Sequence, residues 1–226
     1  MSSRFIEALL GAERPLVMEV KRRDAHGMDL ISGRTPADIV TSYEAAGAPC
    51  ISVVTGRWFG GTPELLRDVA RLTQLPLLRK DFITRRDQLA ATRELGASAV
   101  LLTAALLPAS SMRTLVTAAL SEGLTPFVEV TTEAELAAVP HADECVIAVN
   151  NKDIKARERD PGDIGRSLTL LPALLETGTP CPVSASAIDT PETAALLLSA
   201  GYKGLLVGTA LMRASDLRAW PKVPVA

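Results

Sequence analysis

Ionisable and amide side chains recur at the ends of apolar, strand-like runs in this 226-residue chain. Glu19 and Lys21 close PLVMEVK, Lys80 and Asp81 close LPLLRKD, Glu129 lies in PFVEV, and Asn150, Asn151, Lys152 and Asp153 follow CVIAV. A charge at the end of a buried strand is costly unless a partner or a reaction uses it. Glu19 and Lys21 are two residues apart, so in a strand both face the same way. Opposite charges converging in a dry cavity separate pKa values enough to supply a general acid and a general base near neutral pH. The structural alternative is a set of buried ion pairs without chemistry; four strands contributing at once weighs against it.

Eight apolar runs of strand length could position these groups: residues 16–20, 50–54, 75–79, 99–103, 126–130, 145–149, 181–185 and 204–208. Helical patterns separate them. Thr35-Pro36, Thr62-Pro63 and Thr190-Pro191 each place a capping hydroxyl before a proline suited to the first helical turn. Gly47, Gly96, Gly123 and Gly201 follow helical stretches and precede strands, as left-handed helix ends do. Strands apolar on both faces are parallel and covered by helices. Eight such units, with no G-x-G-x-x-G turn, predict a (β/α)8 TIM barrel rather than a doubly wound sheet, as one domain over residues 1–226. The chemistry of such a barrel sits at the C-terminal ends of its strands, where the charges above fall.

Composition narrows the function classes. The chain is 47% hydrophobic with only 4% aromatic residues, so aliphatic side chains must fill a large interior. A net charge of -2 and no polybasic run argue against nucleic acid as a partner. The longest apolar stretch, 97–107, is too short to span a bilayer, and the first residues read as a short amphipathic helix rather than a signal peptide. A cytoplasmic protein, monomeric or weakly dimeric, is expected. Cys50, Cys145 and Cys181 are widely spaced without a C-x-x-C pair, so they read as packing residues, with no metal site and no disulfide framework.

The last two strands suggest an anion site. VSASAI (183–188) and VGTALM (207–212) bring small and hydroxyl residues to the loops after strands seven and eight, where barrels commonly hold phosphate. Gly208 and Thr209 can offer backbone N–H groups and a hydroxyl there.

Taken in order and spacing, MEVKR, SVVTGRWFGGTPELL, LLRKDFIT, ELGASAVLLTAALL, FVEVTTEAEL, VNNKDI, VSASAI and LLVGTALM resemble the indole-3-glycerol phosphate synthase family over residues 16–213. That resemblance implies a ring closure without metal or cofactor, in which an anthranilate carrying a deoxyribulose phosphate cyclises, loses carbon dioxide and then loses water. It further implies Lys80 as the general acid at the ketone oxygen and Glu129 as acid or base in the dehydration. Lys21 would meet the phosphate and the carbonyl, Glu19 would orient the lysines, and Asn150 would bond the substrate. Phe82 would wall the aromatic ring, Lys152 and Ser184 would contact substrate, and Ser186, Ala187, Gly208 and Thr209 would cradle the phosphate.

Four departures bear on binding. The family's Ser-Glu-Ser-Gly after strand seven is Ser184-Ala185-Ser186-Ala187 here, so a carboxylate is missing. Its arginine after two asparagines is Lys152, which cannot form a planar bidentate fork. The loop after strand one reads RRDAHGMDL, bringing Arg22, Arg23, Asp24 and His26 toward the mouth; His26 is expected to be solvated. The family's helix over the active-site end is reduced to residues 4–11. Trp58 and Phe59 are candidates for an aromatic lid, and Trp220 for packing. The departures leave two other readings open: a related lyase or isomerase acting on another phosphorylated sugar adduct, or a binding protein descended from the enzyme.

Overall fold

Every strand is buried along its whole length, and each pairs in parallel with its chain neighbours until the last meets the first. The computed structural model describes residues 3–156 and 158–223. The closed barrel consists of β1 (Leu16–Val20), β2 (Cys50–Val54), β3 (Leu77–Lys80), β4 (Ala99–Thr103), β5 (Thr125–Val130), β6 (Val146–Asn150), β7 (Cys181–Ala185) and β8 (Gly204–Val207). Helices α2 (Pro36–Ala45), α3 (Pro63–Leu72), α4 (Asp87–Glu94), α5 (Ala109–Ser121), α6 (Glu133–Ala137), α7 (Ile164–Glu176) and α8 (Pro191–Ala200) follow the first seven strands in turn. A short α9 (Thr209–Arg213) follows β8, and α1 (Arg4–Leu10) precedes β1. Thr35, Thr62 and Thr190 each cap a helix with the side chain while proline takes the first turn. The four glycines expected at helix ends all have positive φ.

Strand parity divides the core in two. Leu16, Met18 and Val20, with Ile51, Val53, Val100, Leu102, Val128, Ile147 and Val149, pack beneath the helices. Val17, Cys50, Leu78, Ala99, Leu101, Phe127, Val146, Ala148, Cys181, Val183, Ala185 and Leu206 fill the barrel interior. The alternation continues inward at Glu19, Lys21, Lys80, Glu129 and Asn150, so the polar inward positions lie at the C-terminal ends of columns whose lower members are apolar. Register is staggered between the charged strands, as in a tilted barrel: Glu19 pairs with Ser52, which pairs with Leu78 two residues before Lys80, while Val54 pairs with Lys80 and Thr103 with Glu129.

Two expectations change. The third strand begins at Leu77 rather than at residue 75 and ends on Lys80, with Asp81 just beyond it. Pro76 lacks the N–H a ladder needs, although its carbonyl still accepts from Ile51. The N-terminal helix lies at the opposite end of the barrel from the charges. Phe5 meets Phe127 edge-on at 6.2 Å, and Ser3 bonds Thr125 at 2.6 Å. The physical reason is space: small residues at the bottom of the interior, Cys50, Cys181 and Gly204, leave room for Phe5 and Leu9. A Cβ on Gly204 would come within 2.8 Å of Leu9. Helix α1 is therefore a floor for the barrel and no remnant of a lid.

Candidate active site

Glu19, Lys21, Lys80 and Glu129 meet at one mouth, each on a different inward position of β1, β3 or β5 or just beyond β1. The Lys80 ammonium lies 3.3 Å from Glu19 and 3.8 Å from Glu129, and Lys21 lies 3.9 Å from Glu19. Asn150 donates its amide to Glu129 at 3.2 Å. Ser52 donates to Glu19 at 3.4 Å. Cations and carboxylates thus alternate as Lys21, Glu19, Lys80, Glu129, the arrangement in which buried charges offset their lost hydration.

Environment assigns the protonation states. Burial alone would strip the proton from Lys80, but Glu19, Glu129 and Glu158 outweigh it and raise the lysine above its ordinary value. Lys80 is an ammonium at neutral pH. Burial raises the Glu129 carboxyl, and Lys80 opposes that rise only in part. Among the described residues no hydrogen-bond donor reaches Glu129 Oε1. A buried acceptor left open in this way is free for a ligand's proton or hydroxyl. No group of three or more His, Cys, Asp or Glu among the described residues is placed to hold a metal ion.

A cleft of about 930 Å³ runs from Glu19, Lys21 and Lys80 past Lys152 to Ser186–Ile188 and Gly208–Ala210. Ser186 and Ala187 have φ of +67° and +54°, a left-handed backbone that L residues adopt at a cost of about 1–2 kcal/mol each. Such strain clusters at functional sites. It is held here by Asn151, whose amide donates to the Ser186 carbonyl at 3.0 Å. Gly208 is required where it stands, because a Cβ there would collide with the Glu19 carboxylate. Gly208→Ala is therefore expected to displace Glu19 from both lysines and lower kcat/KM by about a hundredfold or more, as ångström-scale misplacement does; steady-state kinetics would check it.

A second, much smaller recess opens beside the cleft, walled by Phe59, Phe82, Leu101, Ile154 and Glu129. Trp58 packs edge-on against Phe82 at 4.9 Å, and Lys21 rests 4.0 Å over the Phe59 ring. The aromatic pair expected from the sequence thus splits, with Phe59 forming wall and the exposed Trp58 forming rim.

Two expected contacts fall elsewhere. Ser184 does not face the cleft: its parity turns it outward, fully buried, where it bonds Ser167 at 2.8 Å and Asn151 at 3.1 Å. Asn150 is 1% exposed and committed to Glu129 and to the Lys152 N–H, so it positions the carboxylate. Asp81 also turns aside, to Arg79 at 2.9 Å and Thr55 at 2.7 Å. His26 is exposed at the cleft's edge, and Trp220 packs into the outer core.

Glu158, in the loop between β6 and α7, was not singled out by sequence reasoning. Its carboxylate reaches Lys21 at 3.5 Å, and only 5% of the residue is exposed. Burial pushes its pKa up, but Lys80, Lys21 and Lys152 outweigh that and hold it below the ordinary value. Within KARERDPGD it reads as one charge of a solvated run. Only the left-handed backbone at φ +56° turns it inward, and no residue-type signal marks that turn.

An alternating lysine and carboxylate mouth beside a strained, small-residue rim at the end of a closed parallel barrel defines a phosphate-ligand barrel enzyme of the acid–base class. Comparison with known proteins narrows the class. The indole-3-glycerol phosphate synthase family model matches residues 2–222. The indole-3-glycerol phosphate synthase of Pyrococcus furiosus is 38% identical over 205 residues, covering 90% of this chain and 88% of its own. That of Azoarcus sp. is 36% identical over 217 residues, covering 94% and 81%. The chain belongs to the indole-3-glycerol phosphate synthase family. A solved chain of the tryptophan synthase a2b2 complex from Pyrococcus furiosus shares the fold, with a TM-score of 0.64, 16% identity and coverage of 92% and 93%.

Proposed function

We propose that this protein closes the indole ring of an anthranilate-bearing deoxyribulose phosphate, as a decarboxylating lyase of tryptophan biosynthesis. The observation that carries the reading is the contact of Lys80 with both Glu19 and Glu129 at the mouth of the barrel. With the phosphate against Ser186, Ala187, Gly208 and Thr209, and Lys21 reaching along the cleft, the ketone comes to Lys80. Bonding of the aromatic carbon to the ketone carbon drives an electron pair onto oxygen, where the Lys80 ammonium donates its proton. The carboxylate then leaves as carbon dioxide, and its bonding pair restores the aromatic ring without a base. In the last step the new hydroxyl takes a second proton, from the Lys21 ammonium, and leaves as water, while the electron pair of a neighbouring C–H bond forms the ring double bond and its proton passes to Glu129. Glu19 holds the two lysines apart, and Asn150 keeps Glu129 aimed. Phe82 flanks the ring, and Lys152 lines the loop side of the cleft.

Every group in this account comes from a single chain, so a monomer or weak homodimer suffices. Among the described residues no helix is long and apolar enough to cross a membrane, and a phosphorylated substrate supports a cytoplasmic setting. The test is direct. Purified protein given the carboxyphenylamino deoxyribulose phosphate should generate indole absorbance; no turnover at saturating substrate would refute the proposal.

A further inference from the structure

The small recess and the long cleft share Lys21, Lys80 and Glu158, and of these only Glu158 is carried by a loop remote from a strand end. The recess has a volume of about 20 Å³, which admits one water. A benzene-sized ligand occupies an apolar cavity of about 150 Å³. A ring therefore enters only when a lining group leaves. Leu101 and Glu129 sit on ladder-bonded strands, and Phe82 lies two residues past β3 with its N–H bonded to Asp81. Phe59 is held under the Lys21 ammonium with its carbonyl accepting from Arg23, and Ile154 belongs to the same loop as Glu158. Glu158 is held by its ion pair to Lys21, by its N–H to the Asp153 carbonyl at 3.0 Å, and by Lys152 donating to its own carbonyl at 3.3 Å. Its backbone stands in the left-handed region.

We propose that Glu158 is a resident anion: it occupies the place of a ligand's ring carboxylate on the lysines and closes the aryl recess, which makes it the residue that selects carboxylated rings. This rests on the ring-closing reading above. The selection follows from charge balance. When Glu158 swings out, Lys21 loses a partner 3.5 Å away inside a buried site. A ring that carries a carboxylate restores the balance; a neutral ring leaves the cation under-compensated, which is costly. The resident anion also lowers apparent affinity for the carboxylated ring, since only molecules with Glu158 displaced accept it, whereas the neutral compound is held by its phosphate end with its ring outside the recess and Glu158 still in place.

The experiment compares wild type with Glu158→Gln by isothermal titration. The first ligand is the non-reacting alcohol made by reducing the substrate's ketone; the second is the same compound without the ring carboxylate. Glu158→Gln is expected to bind the carboxylated compound about tenfold tighter and to change the other by less than about threefold, with KM falling in parallel. Glu158→Gly, which suits the left-handed backbone, should shift affinity in the same direction and guards against misfolding of the loop. Equal shifts for both compounds, weaker binding of the carboxylated one, or binding of neither would overturn the proposal. Turnover by the unsubstituted protein is measured alongside. Turnover without selective tightening removes the resident-anion role alone, whereas selective tightening without any turnover removes the ring-closing reading and keeps the anion.

Discussion

Lys80→Met should reduce kcat by about 10⁴ or more, because it removes both the proton donor and the cation at the developing oxyanion. The same change should destabilise the fold. Lys80 is the shared partner of Glu19 and Glu129, and its charge also helps hold Glu158 ionised. Methionine fills a similar volume but removes the ammonium paired with Glu129 and leaves Glu19 with Lys21 alone, and breaking a buried pair costs about 3–5 kcal/mol. For a chain of this size each kcal/mol lowers Tm by about 2–4 °C. Thermal unfolding and single-turnover kinetics together check the claim. If the loss arises from orphaned charge, Lys80→Met with Glu129→Gln should recover part of the stability and none of the activity. A double variant as unstable as the single one would point to packing instead.

Glu129→Gln should separate activity from stability in the opposite sense. Loss of the proton acceptor is expected to lower kcat by about 10²–10³. Stability should rise at neutral pH, and the sign follows from linkage. Burial raises the folded-state carboxyl above its ordinary value, so the native protein holds that proton more tightly than the unfolded chain does. The resulting stabilisation is complete below the unfolded pKa and is lost as pH rises through the folded one. Above the folded pKa the wild type carries a partly uncompensated buried anion, while a glutamine amide can still accept from Asn150. The variant should melt higher than wild type near pH 7.5, and the difference should shrink toward pH 5. A variant that melts lower at both pH values would show that the Lys80 contact outweighs desolvation. Stability held back by an ionised group in a buried site is the usual signature of a residue kept for chemistry.

These two residues also show how much of the site local sequence encodes. Lys80 and Glu129 close apolar runs, and period-two alternation from Leu78 and Phe127 sends them into the barrel. The same rule applied to β7 would have turned Ser184 outward, since Cys181, Val183 and Ala185 occupy the interior. The hydroxyl drew attention to Ser184, but parity decides its face. Asn150 and Asn151 likewise part company across one peptide bond: the first supports Glu129, while the second bonds Ser184, Ser167 and the Ser186 carbonyl. The strained rim depends on the second.

The chain's own order of residues determined the eight parallel strands, the end of the barrel that carries charge, and the identities of the lysine and carboxylate groups there. Those features repeat with the period of a strand or mark the ends of helices, so local spacing encodes them. Tertiary structure alone decided that α1 floors the barrel, that Glu158 comes to Lys21 from 137 residues away, and that the aryl recess stands closed. Each depends on how a loop or helix end meets a distant surface, and a single left-handed residue or a missing side chain at Gly204 or Gly208 sets that meeting without leaving a period to read.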